Sequence, residues 1–368
     1  MRYYIISGEA SGDLHASNLM RFLKQKDTNM QVRAWGGDLM QAEGADLVKH
    51  YKDLAFMGFL EVLMNIRVIL SNLKWCKKDI LDYRPDALIL VDYPGFNMRI
   101  AKFAKKNNIP VYYYISPQVW AWKKNRVYDI KKYVTKLYTI LPFEKDFYAQ
   151  YDYEVEYLGH PLLDAVSNYR KNHKSDENQW KKEGRPLVAL LPGSRAQELK
   201  KMFPKMLAVE KQFPQCDFVI AGVESLGEGF YQSFLKESNI TLVFNQTYPL
   251  FEEADAALVS SGTATLETAL FNVPQVVCYQ SSWLSYKIAK TLVDIKYISL
   301  VNLISNREVV KELIQEDLTV ANMVNELNRL LQKEEAMSIQ TQYDELRKSL
   351  GGEGASERVA QSIYQHLS

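Results

Sequence analysis

The chain has 368 residues, with 45 Lys and Arg against 44 Asp and Glu and a net charge of +1. That balance argues against a general nucleic-acid binder, and the length suits two domains better than one core. Three scattered cysteines, Cys76, Cys216 and Cys278, show neither metal-ligand spacing nor a disulfide framework and fit a reducing compartment. The chain enters a strand almost at once, so no secretion signal is expected, and no apolar run reaches the ~20 residues of a membrane span. A cytoplasmic protein that remains able to touch a membrane is the expectation.

The first strand, residues 3–6, runs into Ser7-Gly8-Glu9-Ala10-Ser11-Gly12-Asp13. Two glycines four apart let a backbone approach a ligand closely. Leu14, Leu19, Met20, Phe22 and Leu23 predict a helix over 14–26, whose N-terminus favours anions and polar oxygens. The turn is neither a dinucleotide fingerprint nor a P-loop, and taken alone an ordinary tight turn explains it equally well.

Apolar runs at 32–35, 87–91, 111–115 and 137–140 predict further strands, with helices over 57–81 and 100–106. Strands of this kind are buried on both faces of a parallel sheet. A charged stretch then separates an N-terminal domain, 1–168, from a second domain, 187–350, through a linker at 169–186. The pattern restarts with strands at 187–191, 218–221, 241–244, 257–260 and 276–279, and the tail from Arg307 onward reads as helical. After Gly351-Gly352 a last helix, within 351–368, is expected to pack back on an N-terminal domain. The fold class is α/β, with two doubly wound, Rossmann-like domains facing a central cleft at their strand C-termini.

The strand at 187–191 ends in Pro192-Gly193-Ser194-Arg195, which offers backbone donors, a hydroxyl and a guanidinium to a diphosphate. Another strand–Gly–helix junction follows at Ser261-Gly262-Thr263-Ala264-Thr265-Leu266-Glu267. Glu267 lies one turn beyond Thr263 on the same helix face, where a carboxylate can accept both ribose hydroxyls. Helix capping by Ser261 or Thr263 is the bland reading, and the two are compatible.

With these junctions read, the chain resembles the lipid-A-disaccharide synthase family, glycosyltransferases of the GT-B fold. The resemblance rests on motifs in order: the residue 7–13 turn; Met57-Gly58-Phe59-Leu60-Glu61-Val62-Leu63; Val91-Asp92-Tyr93-Pro94-Gly95-Phe96-Asn97; Ser116-Pro117-Gln118-Val119-Trp120-Ala121-Trp122; Leu141-Pro142-Phe143-Glu144; Gly159-His160-Pro161; the two junctions above; and Ser299-Leu300-Val301-Asn302-Leu303. It implies an inverting transfer from UDP-2,3-diacylglucosamine to the 6-hydroxyl of 2,3-diacylglucosamine 1-phosphate, giving a β-1,6 disaccharide 1-phosphate and UDP, with no cofactor and no metal. Asp92 is then the general base, although a helix-capping aspartate fits the Pro94-Gly95 turn as well.

For the UDP-sugar the resemblance points to Gly8, Glu9, Ser11, Gly12, Gly193, Ser194, Arg195, Gly262, Thr263, Thr265, Glu267 and Asn302. Asp13 reads either as a second carboxylate or as a cap. An apolar run that includes Phe56, Met57, Phe59, Leu60 and Leu63 suggests a membrane-facing patch, against a core or subunit-interface helix as the alternative. Trp120, Trp122 and Arg126 join the acceptor's lipid and phosphate side. Expected partners are both sugar substrates and the inner face of the bacterial inner membrane, with a homodimer allowed and no nucleic acid. A UDP-N-acetylglucosamine 2-epimerase-like enzyme and a non-catalytic nucleotide-sugar sensor are the alternatives.

Overall fold

The segments that are apolar at every position form the centres of two parallel sheets. In the computed structural model, which describes residues 1–53, 66–173, 179–235, 238, 240–282, 286–287 and 295–368, the chain divides into two units. One comprises Met1–Ala165 with Leu350–Ser368, the other Val166–Ser349.

The first unit runs β1 (Arg2–Ser7), α1 (Ala10–Lys26), β2 (Gln31–Gly36), α2 (Asp38–Ala42), β3 (Asp46–His50), α3 (Ile66–Tyr83), β4 (Ala87–Val91), α4 (Pro94–Lys106), β5 (Val111–Tyr114), α5 (Arg126–Tyr133), β6 (Lys136–Thr139), α6 (Glu144–Ala149) and β7 (Glu156–Tyr157). Helix α7 (Pro161–Asn172) then carries the chain into the second unit. There follow β8 (Leu187–Leu191), α8 (Ala196–Glu210), β9 (Asp217–Gly222), α9 (Glu228–Leu235), β10 (Thr241–Phe244), α10 (Thr247–Glu253), β11 (Ala256–Ser260), α11 (Thr263–Leu270), β12 (Gln275–Tyr279), α12 (Leu300–Ser305), β13 (Lys311–Ile314), α13 (Val320–Leu330) and α14 (Lys333–Ser349). The last helix, α15 (Ala355–Leu367), belongs to the first unit.

Strand order is β3-β2-β1-β4-β5-β6-β7 in one sheet and β10-β9-β8-β11-β12-β13 in the other. Each sheet therefore reverses direction once, between β1 and β4 and between β8 and β11. Side-chain alternation splits the first unit's core into two layers. Tyr4, Ile6, Leu88 and Leu90 face Leu73, Cys76 and Ile80 of α3 and Ile100 of α4. Tyr3, Ile5, Ile89 and Val91 face α1 and also Val359, Ala360 and Ile363 of α15.

Two sequence expectations need correction. The tail beyond Arg307 is not all helix: Lys311–Ile314 is an edge strand paired with β12. Among the described residues it pairs with one strand, so it mixes Lys311 and Glu312 with buried Leu313 and lacks the all-apolar signature of a central strand. Residues 169–186 are not simply a linker. Helix α7 continues to Asn172, and the amides of Gln179, Trp180 and Lys181 donate to the Glu253 carboxylate at 2.7, 2.9 and 2.9 Å. One buried carboxylate thus pins a polar stretch to the second unit. Among the described residues no helix is long and apolar enough to cross a membrane.

The return of the chain to the first unit is held by Asp164, whose two oxygens accept from Gly354 N at 2.6 Å and Ser356 N at 2.7 Å. His160 N also donates to Leu350 O at 3.2 Å. Asp164→Ala leaves two amides without their charged acceptor, so a loss of about 2–4 kcal/mol is expected. Hydrogen exchange should report it as faster exchange across 355–367, with β8 and β11 unaffected.

Candidate active site

In the first unit the turns after β1 and β4 lie side by side, because Ser7 pairs with Val91 at the ends of those strands. Gly8 is where they touch. A Cβ there would sit 2.4 Å from the Tyr93 ring, so only glycine lets the turn pack against it. Asp92 and Tyr93 both occupy the left-handed region, at φ 46° and 49°. Two consecutive non-glycine residues of this kind are strained and persist only when other contacts hold them. Here Asn97 Nδ2 and Tyr113 OH donate to the Asp92 carbonyl at 2.8 and 2.7 Å, and Asp92 N donates to Tyr114 O at 3.2 Å.

The strained turn leaves Asp92 half-buried. Desolvation, with the Glu9 carboxylate adding to it, pushes Asp92 up to about 7, while the Tyr93 N–H pulls the other way. Such a carboxylate is poised to take a proton near neutral pH. Glu9 precedes the first turn of α1 as its N-cap residue.

In the second unit the corresponding turns follow β8 and β11, again neighbouring strands. Gly193 has φ 99°, and a Cβ on it would lie 2.8 Å from Ser260 Oγ, so the β8 turn demands glycine twice over. Ser194 and Arg195 are exposed at the start of α8, and Arg195 donates to Glu198 Oε1 at 3.3 Å. Gly262 caps α11 at φ 137°, with Thr263 exposed beside it. Glu267 stands in the next turn of that helix, where burial pushes its carboxyl up and a hydrogen bond from Tyr248 pulls it down. The unit thus gathers a guanidinium, two helix N-termini and a carboxylate at the carboxyl ends of β8 and β11, a set suited to a sugar nucleotide.

Several expected ligand contacts are occupied inside the protein. Asp13, of its two open readings, is a cap: it is buried, and its oxygens accept from Gly37 N (2.8 Å), Leu39 N (3.1 Å) and Met40 N (3.2 Å) at the start of α2. Gly12 is buried, and a Cβ on it would lie 3.0 Å from Ser7 Cβ, so it serves strand–helix packing, whereas Ser11 keeps partial exposure in the first turn of α1. Thr265 is fully buried and returns its hydroxyl to Gly262 O at 2.8 Å. Asn302 is fully buried as well. Its Oδ1 accepts from Val309 N and Val310 N at 2.8 and 3.0 Å, and its Nδ2 donates to Val310 O and Glu312 Oε1 at 2.8 and 2.9 Å. Nothing on that amide is left to face a nucleotide.

Trp120 is likewise buried, edge-on to Phe143 at 4.9 Å. Trp122 is 39% exposed, with Lys123 Nζ at 4.4 Å and the Arg126 guanidinium at 5.4 Å from its ring. Phe56, Met57, Phe59, Leu60 and Leu63 lie outside the described residues. The residue that sequence reasoning missed is Tyr248, which belongs to no motif and reaches Glu267 from a different helix. Among the described residues no group of three or more His, Cys, Asp or Glu is arranged to hold a metal ion.

Comparison with known proteins bears on this arrangement. Residues 3–365 match the family described as lipid-A-disaccharide synthetase. A lipid-A-disaccharide synthase of Syntrophus aciditrophicus (strain SB) is 38% identical over 364 residues, covering 97% of this chain and 95% of that protein. Among solved structures, the UDP-GlcNAc 2-epimerase of Neisseria meningitidis bound to UDP-GlcNAc superposes with a TM-score of 0.72 at 13% identity, covering 99% of this chain and 100% of the other. The glycosyltransferase of kitacinnamycin gives 0.67 at 14% identity, covering 100% and 99%. At such identities the structural likeness shows the fold alone: two parallel-sheet α/β domains of the GT-B kind.

The internal placement of Asn302 has a direct test. Asn302→Ala strands buried partners and is expected to lower the stability of the second unit by about 3 kcal/mol or more in urea denaturation. UDP affinity of the folded fraction should stay unchanged in calorimetry; a selective loss of affinity at full stability would return Asn302 to the nucleotide.

Proposed function

This chain belongs to the lipid-A-disaccharide synthase family, glycosyltransferases of lipid A biosynthesis, and on that premise we propose a single-displacement transfer between two acylated sugars. The donor is UDP-2,3-diacylglucosamine and the acceptor 2,3-diacylglucosamine 1-phosphate. Asp92 takes the proton of the acceptor 6-hydroxyl. The oxygen bonds to the donor's anomeric carbon as the bond from that carbon to the diphosphate oxygen breaks, and UDP departs with the electron pair. One displacement at carbon inverts it, giving the β-1,6 disaccharide 1-phosphate.

The observation that carries this reading is the Asp92 turn, a strained backbone at a strand switch point presenting a desolvated carboxyl pushed up to about 7. Arg195 and the N-termini of α8 and α11 balance the charge that develops on the leaving diphosphate, where donors fixed in advance are most effective. Glu267 accepts the ribose hydroxyls. Likeness to the 2-epimerases reaches only the fold, and turnover of UDP-GlcNAc without acceptor is what would favour that alternative.

Both substrates carry acyl chains, so the enzyme must work at a lipid surface. Helix α3 supports this: Ile66, Val68, Leu70, Trp75 and Leu81 are exposed on it, Leu70 by 56%. Lys74, Lys77 and Lys78 lie along the same helix. Ile66, Leu70 and Leu81 share one flank of this helix with Lys74 beside them, an apolar and basic combination that fits peripheral attachment to an anionic membrane, at the cytoplasmic face where the substrates of such a pathway reside.

Asp92→Asn is expected to lower kcat by ~10²–10⁴-fold while leaving donor KM near its wild-type value. In wild type the acid limb of kcat/KM should fall near pH 7, because the base is active only when ionised and its carboxyl is raised to about 7. Glu9→Gln removes the charge that helps raise it, so the limb should move to lower pH. Acceptor-dependent UDP release measured across pH 5–9 reads both effects, and wild-type turnover by Asp92→Asn would remove that residue from the chemistry. For the membrane reading, Leu70→Ser with Leu81→Ser, both exposed on the same flank, should reduce sedimentation with anionic phosphatidylglycerol vesicles by about tenfold, with turnover of detergent-dispersed substrate retained; unchanged sedimentation would exclude this face.

A further inference from the structure

Glu267 depends on a residue from another element. Tyr248, the second residue of α10, donates its hydroxyl to Glu267 Oε1 at 2.9 Å. Its ring is set by neighbours on two sides. Phe271 lies 4.9 Å away at 45°, and Tyr169 meets it edge-on at 5.3 Å and 79°. Phe271 is itself held by Phe251 at 5.5 Å and by the Arg170 guanidinium 5.0 Å from its ring. A phenol packed in this way delivers its hydroxyl to one point, while a glutamate on a helix surface has several torsions to lose.

We propose that Tyr248 is a positioning residue for nucleotide recognition, holding Oε1 so that the Glu267 carboxylate presents its remaining acceptor positions to the vicinal hydroxyls of the ribose of a nucleoside diphosphate. The proposal rests on the reading of Glu267 as the ribose-binding carboxylate. A carboxylate has about four acceptor positions, so one bond from a phenol still leaves room for two hydroxyls. Orientation is what the flexible side chain lacks and the phenol supplies. Tyr248→Phe keeps the packed ring and removes only the donor, which separates orientation from packing.

The test is calorimetric titration of the full chain with UDP and with 2′,3′-dideoxyuridine diphosphate, for wild type, Tyr248→Phe and Glu267→Ala, together with donor kinetics. Wild type should prefer UDP by about 100-fold or more, as expected for two hydroxyls bonded to a charged acceptor. Glu267→Ala should abolish that preference. Tyr248→Phe should reduce it by about tenfold and raise donor KM more than it lowers kcat. If Glu267→Ala leaves the preference intact, the ribose reading itself fails and the proposal with it. If Glu267→Ala abolishes the preference but Tyr248→Phe retains the wild-type ratio, Tyr248 is overturned as a positioning residue while Glu267 stands. A fall in melting temperature of Tyr248→Phe with an unchanged ratio overturns it equally, since a purely structural role does not discriminate between the two nucleotides.

Discussion

In a parallel sheet every strand delivers its chain to the same edge, and where strand order reverses, the helices that follow two neighbouring strands depart to opposite faces. Space opens there, ringed by the N-termini of helices and by turns that no regular partner covers. This chain meets that constraint twice, at β1 and β4 and at β8 and β11. Asp92, Glu9, Arg195 and Glu267 all lie on or just beyond the turns that follow those four strands. The rest of each unit keeps the turns in place: Gly8 packed against Tyr93, Asn97 and Tyr113 clasping the Asp92 carbonyl, Gly193 against Ser260.

Three partly or fully buried carboxyls show how environment divides labour among like groups. Desolvation raises Asp92, Glu144 and Glu267 alike. Glu144 Oε2 accepts from the amides of both Ile140 and Leu141 at 3.1 and 2.9 Å, so that oxygen is spent on the turn that carries it. Glu267 accepts from a phenol. Asp92 has a single amide beside it and another carboxylate nearby, which leaves it the one of the three best disposed to exchange a proton. Chemistry of this kind follows from what surrounds a group as much as from the group itself.

Central strands, helices beginning at Gly-rich turns and the two-sheet architecture were legible in the sequence because burial on both faces leaves an unbroken apolar run. The edge strands β3, β7 and β13 were not, since none of them holds more than one fully buried residue to mark it as an apolar run. The turns were legible as places of interest, but not which of their polar residues look outward. Asp13, Thr265 and Asn302 stand in the same motifs as Glu9, Gly262 and Glu267 or in a neighbouring one, yet each spends its side chain on backbone groups. A short polar side chain beside a helix start serves the protein or a ligand equally well on paper, and only the three-dimensional count of donors and acceptors separates the two. Tyr248 lay beyond the reach of sequence reasoning for a different reason: its meaning is a contact across 19 residues that no local pattern encodes.

The return of α15 to the first unit has a consequence for how the molecule is made. The second unit is one uninterrupted segment, Val166–Ser349, whereas the first needs both Met1–Ala165 and Leu350–Ser368. Synthesis runs from the N-terminus, so the sequence of the second unit is complete while the unit bearing Asp92 still lacks Val359, Ala360 and Ile363 from one layer of its core. The layer that holds Val91, the residue before Asp92, is therefore finished only once the residues of α15 have emerged.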